Sequence, residues 1–361
     1  MAFQGPMNPM LNLAKLLISR GLRVTIAATE MARHHIINSN PIAHNSQIQI
    51  EFFSDGLSLD FDRLKYSDDF FDSLKTNGSS IKNILQDLFQ SLDKAQWVLA
   101  TSFDEIEEEI VKAMDYLIKN RSIGPLVSPF LVGQKETDDL SINLWNNEDS
   151  CMGWLDDKPD CSVIYISFGS VIVFTQKQID NIVMALRNTE KSFLWVVKPA
   201  RKHCEEDDSA KLPNEFLEEM KKKETGLVVT WCPQEKVPMH RSVGCFMTHC
   251  GWNSTAETVV AGVPVIAYPK WSDQPTNAKL CGSVFENSVK VNFEEDGNVS
   301  AEQLERCIRK VMEDPEGNKM KKKALKLKDA ARKVLQEGGS SHNNVNQFIG
   351  ELVLAKNQAS A

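Results

Sequence analysis

A histidine, two amides, a hydroxyl and two carboxylates crowd the stretch 231–274, and their order suits a phosphorylated ligand. The segment reads WCPQEKVPMHRSVGCFMTHCGWNSTAETVVAGVPVIAYPKWSDQ. His249 follows a short apolar run at 244–247, and Gly251, Asn253 and Ser254 then lead into a helical pattern. A helix that starts there offers backbone N–H groups and the positive end of a dipole, which suits a diphosphate. Glu257, on what the pattern makes the first turn, can accept ribose hydroxyl hydrogens. Trp231 can stack on a flat base, and Asp273 and Gln274 can bind sugar hydroxyls. Taken singly, each has a plain structural role: His249 as a satisfied core histidine, Trp231 as core packing, Asp273 as a helix cap. The functional reading rests on all of them falling at the same edge of one sheet.

That sheet is legible as strands alternating with helices. From 151 onward apolar strands are expected at 162–167, 193–197, 226–230, 244–247, 265–267 and 289–292. Helices are expected at 175–187, 212–222, 234–240, 254–261, 274–281, 301–313, 318–337 and 344–355. Such alternation makes a doubly wound parallel sheet, in which ligands sit at the carboxyl ends of the strands. Before 151 the pattern is sparser. A helix begins at the Asn8-Pro9 pair and ends at Gly21, a strand covers 24–28, and 51–80 is irregular. A helix at 81–92, a strand at 97–100 and a helix at 105–114 follow. A helix starting near residue 8 should itself follow a strand, and only residues 1–4 are there to form it. The polar, acidic stretch 132–150 reads as a linker. The expected division is therefore 1–131, linker 132–150, 151–345, and a terminal helix and tail at 346–361.

Bulk properties narrow the function. At 361 residues the chain is long enough for two domains. Its net charge of −8 argues against a nucleic-acid partner, and the lysine runs 221–223 and 321–323 read as solvated helix faces. No apolar run approaches the roughly 20 residues of a membrane span. With no signal-peptide pattern, the expectation is a cytoplasmic protein. The eight cysteines include none in a CxxC pair. Cys245, His249 and Cys250 raise the possibility of a metal, but no second ligand pair follows, so buried free thiols are expected and no metal.

Residues 231–274 closely resemble the signature of plant secondary-product UDP-glycosyltransferases, from the opening WCPQ through HCGWNS and the later Glu to the closing DQ. GWLDDKPDCSVIYISFGS at 153–170, FFSDGL at 52–57, WVLATSFDEIE at 97–107 and SIGPLVS at 122–128 also resemble family stretches. The resemblance implies an α/β protein of GT-B architecture: two Rossmann-like doubly wound domains, the N-terminal one here incomplete. It implies that Trp231 stacks on uracil and Cys232 offers backbone contacts to it, while Gln234 and Glu257 hold the ribose. His249, Asn253, Ser254 and Ser170 would hold the diphosphate; Trp252, Asp273 and Gln274 would hold the sugar. Gln274 resembles the glucose-using members, so the expected partners are UDP-glucose, as co-substrate rather than cofactor, and a small hydroxylated or carboxylated metabolite such as a phenolic.

One part of the family pattern is altered. The family's general base is a histidine in a QGHxNP-like turn, and here that position is Pro6. The aspartate that should orient it belongs to a segment that does not stand out, so no catalytic residue is assigned. SLKTNGSSIKNILQD passes directly to LFQSLDKAQWVL, two stretches that the family separates by several strands and helices. Asp87 and Asp93 flank this junction without the matching context, and His34 and His35 read as loop residues. Two readings therefore stand: an inverting glycosyltransferase, or a UDP-sugar-binding pseudoenzyme that pairs with an intact homologue. A nicotinamide dehydrogenase is disfavoured, because no GxGxxG opens either half.

Overall fold

The computed structural model describes residues 4–29, 48–53, 90, 95–115, 120–127, 150–169, 172, 174–197 and 210–359. The chain divides into two compact units. One comprises Met1–Leu126, Glu136–Asn146 and Val334–Ala361; the other comprises Val127–Lys135 and Asn147–Lys333.

The second unit is built on β5 (Val163–Ser167), β6 (Ser192–Val196), β7 (Gly226–Val229), β8 (Val243–Thr248), β9 (Val265–Ala267) and β10 (Ser288–Lys290). They form one parallel sheet in the order β10-β9-β8-β5-β6-β7. Every residue of β5, β8 and β9 is buried, as expected of parallel strands covered on both faces. Side chains alternate between the two faces. Ile164, Ile166, Phe193, Trp195, Cys245 and Met247 pack against α4 (Gln176–Thr189), α5 (Asn214–Lys223) and α8 (Ala301–Met312). Val163, Tyr165, Leu194 and Phe246 pack on the other side with Cys151 and Leu155 of α3 (Ser150–Asp156). Local signals set the helix ends: the Thr175 hydroxyl accepts from Gln178 N, and Ser300 does the same for Gln303 N.

The expected helix at 234–240 is instead a single 3-10 turn, Val237–Met239, since Pro238 lacks the N–H that a longer helix would bond back to Gln234 O. Helix α3 begins at Ser150, where a linker was expected to end. The helix of the binding stretch, α6 (Trp252–Ala261), starts two residues early, so Glu257 falls on its second turn. Helix α7 (Gln274–Ser283) begins where expected, and α9 (Pro315–Leu335) closes this part of the chain.

In the first unit, α1 (Gln4–Ser19) starts before Asn8, encloses Pro9 and leads into β1 (Val24–Thr29). Pro6 lies within α1 rather than in a turn after a strand. Strand β1 pairs in parallel with β2 (Ile48–Phe53), whose start lies before the expected irregular stretch. Leu11, Ala14, Ile26 and Ile48 form the small core between them. Strand β3 (Val98–Ala100) pairs in parallel with β4 (Asn120–Ser122), and α2 (Asp104–Asp115) connects them. The expected helix at 81–92 apart from residue 90, most of the linker, His34, His35, Asp87 and Asp93 lie outside the described residues.

The last helix, α10 (Ser340–Ala359), belongs to this first unit. The division thus falls after Lys333, not at 345. Ser341 Oγ donates to Gly124 O and Asn344 Nδ2 to Ser122 O. Arg121, only 6% exposed, pairs bidentately with Glu351 at 2.6 and 3.0 Å. Trp97 Nε1 donates to the same carboxylate at 2.8 Å. Removing one partner of a buried ion pair leaves the other charge uncompensated. Glu351→Gln should therefore destabilise the first unit by about 3 kcal/mol and speed amide exchange in α10, measured by hydrogen–deuterium exchange.

Candidate functional site

The chain leaves β5 and β8 in opposite directions. After β5 it passes to α4, on one face of the sheet. After β8 it passes to α6, whose Ala261 packs on the other face. These neighbouring strands mark the topological switch point, where a crevice opens at the carboxyl ends.

The predicted residues gather at this edge. Gly169, just past β5, has φ +71°, and a Cβ there would lie 2.7 Å from His249 Nε2. A Cβ at Gly251 would lie 2.6 Å from the same atom. The imidazole of His249, just past β8, is thus flanked by two glycines because nothing larger fits beside it. Its Nδ1 lies 3.4 Å from Thr248 Oγ1. Gly251 is the cap position of α6 and has no side chain with which to cover the helix's first N–H groups. Half-buried Trp252 and Asn253 and buried Ser254 form the first turn. Ser170 lies outside the described residues.

Glu257 is 7% exposed and accepts a hydrogen bond from Gln234 Nε2 at 3.0 Å. Burial pushes its acid up to about 8; Gln234 offsets part of this and Glu235 adds to it. Trp231 stands half-buried just past β7. Cys232 turns its thiol inward, 3.4 Å from Tyr165 OH, and burial pushes it up to about 12. Only its backbone is left to meet a ligand.

Asp273 occupies the cap position of α7 yet makes no side-chain cap bond. Its Oδ2 instead accepts from Asn277 Nδ2 at 2.7 Å. Gln274, 6% exposed, accepts from Lys270 N at 2.9 Å and Trp271 N at 3.2 Å through Oε1. This fixes the amide so that Nε2 is the group left to donate. Lys270 anchors the loop by donating to Gly297 O at 2.8 Å and lying over the Phe293 ring. An exposed carboxylate and an oriented amide donor therefore stand side by side. Asn277 escaped the sequence reading; the signal was its position four residues after Asp273, one helical turn on.

The other constellations do less. Cys245 lies in the sheet core, and Cys250 packs with Val265, Ala267 and Ala278; burial pushes both thiols up. His240 bridges Ser242 Oγ (2.8 Å) and Asp156 Oδ1 (3.1 Å), a hydrolase-like trio, but Ser242 is 0% exposed, so no substrate reaches it.

Strand order, glycine-flanked histidine and a helix N-terminus capped by glycine define the second unit as a Rossmann-like domain with its switch point between β5 and β8. Residues 135–334 match the family described as UDP-glucoronosyl and UDP-glucosyl transferase, and the chain belongs to that family. It is 42% identical over 286 residues to UDP-glycosyltransferase 84B1 of Arabidopsis thaliana, covering 78% of this chain and 61% of that relative. The chain thus spans about three fifths of the length of this relative. Among solved structures it resembles Os79 of O. sativa in complex with UDP, with a TM-score of 0.80 and 25% identity over 97% of this chain and 98% of that one. It also resembles Glycyrrhiza uralensis UGT73P12, complexed with glycyrrhetinic acid 3-O-monoglucuronide, with a TM-score of 0.70 and 28% identity over 78% of this chain and 58% of that one. Among the described residues no helix is long and apolar enough to cross a membrane.

The burial of Glu257 has a pH consequence. Below about 4.5 it is protonated in both folded and unfolded chains. From there to about 8 the unfolded chain ionises first, so stability falls as pH rises. Glu257→Gln, neutral throughout, should remove roughly 2–4 kcal/mol of this loss, read from melting curves at about pH 5 and about pH 8.5.

Proposed function

We propose that this chain binds a UDP-sugar, with UDP-glucose as the favoured donor, and transfers the sugar to a small hydroxylated or carboxylated metabolite such as a phenolic. The observation that carries this reading is the convergence of the α6 N-terminus, His249, Glu257 and the Asp273–Gln274 pair at one switch-point crevice. In this reading Trp231 stacks on uracil while the Cys232 backbone meets its edge, and Glu257, steadied by Gln234, accepts from the ribose. His249, Asn253 and Ser254 face the diphosphate, and Ser170 is assigned to it by the family resemblance. Trp252, Asp273 and Gln274 hold the sugar, an acceptor and a donor presented to adjacent hydroxyls. A cytoplasmic setting fits the described cysteines, all of which are free thiols.

The reaction breaks the bond from the anomeric carbon to the diphosphate oxygen and forms one to the acceptor oxygen from the opposite face. UDP leaves as an anion, its charge met by the helix N-terminus. The acceptor must lose a proton, and Pro6 has no group to take it. Acceptors that arrive already ionised, as phenolates or carboxylates, avoid that requirement.

Two measurements test the reading. In calorimetric titration UDP should bind saturably, and Trp231→Ala should weaken it about tenfold or more, the worth of one stacked base. Ribose bonds favour the ionised form of Glu257, so binding near neutral pH should also release a proton, seen as a dependence of the heat on buffer. No saturable binding would sink the donor-site reading; binding with no glucoside from any acceptor would leave the binding-only alternative. In the transfer assay the rate should rise with pH through each acceptor's own pKa, and neutral alcohols should give little product. Equal rates for alcohols and phenols would mean that a protein base exists.

A further inference from the structure

We propose that Asn277 is a positioning residue of the donor site, which sets the spacing between the turn that faces the diphosphate and the carboxylate that faces the sugar. The inference rests on the UDP-sugar reading above.

Asn277 is 7% exposed and sits on the first turn of α7. Its Nδ2 carries two hydrogens, and each has an acceptor: Cys250 O at 2.9 Å and Asp273 Oδ2 at 2.7 Å. The acceptors come from different loops. Cys250 follows β8 and precedes the α6 N-terminus; Asp273 follows β9. Each loop contains a non-glycine residue in the left-handed region, Cys250 at φ +61° and Ser272 at φ +60°. Such conformations persist where the surroundings over-determine them, and one buried amide ties both loops. A carboxylate has no hydrogen to give here and a hydroxyl has only one, so the position calls for an amide.

The two loops depend on Asn277 unequally. Cys250 O also accepts from Thr255 Oγ1 at 3.4 Å, and the turn is held by the strand before it and the helix after it. Asp273 is exposed, and among the described residues its carboxylate bonds to Asn277. Without Asn277 the phosphate-facing turn stays and the Asp273 side chain regains its rotamer freedom. The sugar loses a fixed acceptor while the nucleotide keeps its contacts.

The test is calorimetric titration of the full chain and its variants with UDP and UDP-glucose. Asn277→Ala should change UDP affinity less than about threefold and lower UDP-glucose affinity about tenfold, the loss of one charge-assisted hydrogen bond. The Asp273→Ala and Asn277→Ala double variant should bind UDP-glucose no worse than Asp273→Ala alone, because Asn277 acts through that carboxylate. Equal weakening of both ligands, or additive losses in the double variant, would overturn the proposal by reducing Asn277 to a general structural part. If Asn277→Ala fails to fold, Asn277→Asp takes its place: it keeps the shape, lacks the donors and sets a second charge beside Asp273, so its UDP-glucose loss should be at least as large. Failure of the unsubstituted chain to bind UDP is a separate result that removes the donor-site reading itself.

Discussion

Two neighbouring parallel strands whose chains depart to opposite faces cannot fill the space between their ends, and the site exists because β5 and β8 are such a pair. The constraint comes from strand order and is independent of any ligand. It places Gly169 and His249 across from each other and brings the N-terminus of α6 to the crevice floor. Both strands are buried along their whole length, so the loops that follow start from fixed points. Binding groups on short loops above a rigid sheet can be held to the tolerances that recognition needs.

Charge in the crevice follows from the same burial. The helix N-terminus contributes partial positive charge that no proton exchange can remove, and it acts more strongly in a site that excludes water. Glu257 shows the cost of that exclusion: with one amide as its partner, its carboxylate is disfavoured until a ligand supplies hydrogen bonds. A group that is uncomfortable when the site is empty and satisfied when it is filled directs binding energy to one part of the ligand. The thiols of Cys232, Cys245 and Cys250 lie in the same dry surroundings, and burial makes them inert packing groups rather than nucleophiles.

The second unit was readable because buried parallel strands are unbroken apolar runs; VIYIS and VGCFMT cannot be much else. Errors arose where a local pattern and its context disagreed. The stretch 234–240 has helical composition, but Pro238 restricts it to one turn. Strand β4 is Asn-Arg-Ser, with no apolar residue to announce it; its place depends on pairing with β3 and on the Arg121–Glu351 contact. The start of α6 was set two residues late because Trp252 and Asn253 carry no helical periodicity with what precedes them. Asp273 looked like a cap by residue type, yet its backbone is already helical, at φ −75° and ψ −16°, and its side chain turns to Asn277. Of the two bonds of Asn277, the one to Asp273 lies one helical turn away and is legible in the spacing. The one to Cys250 O is not, since it depends on two loops meeting that are more than twenty residues apart.

The chemistry divides along the same line as the fold. Every described group assigned to the donor belongs to the second unit, and in the proposed reading those groups hold a dianion and a sugar. None of that requires a proton to move from the acceptor, because the departing UDP is stabilised as an anion by fixed dipoles. In that reading the acceptor's proton is the remaining demand, and the Pro6 side chain has no group to take it. In the proposed reading, donor recognition is complete without a base, and acceptors that have already lost that proton are the ones it favours. On this argument the acidity of the acceptor, rather than its shape, is the first property that decides whether a bound sugar is transferred.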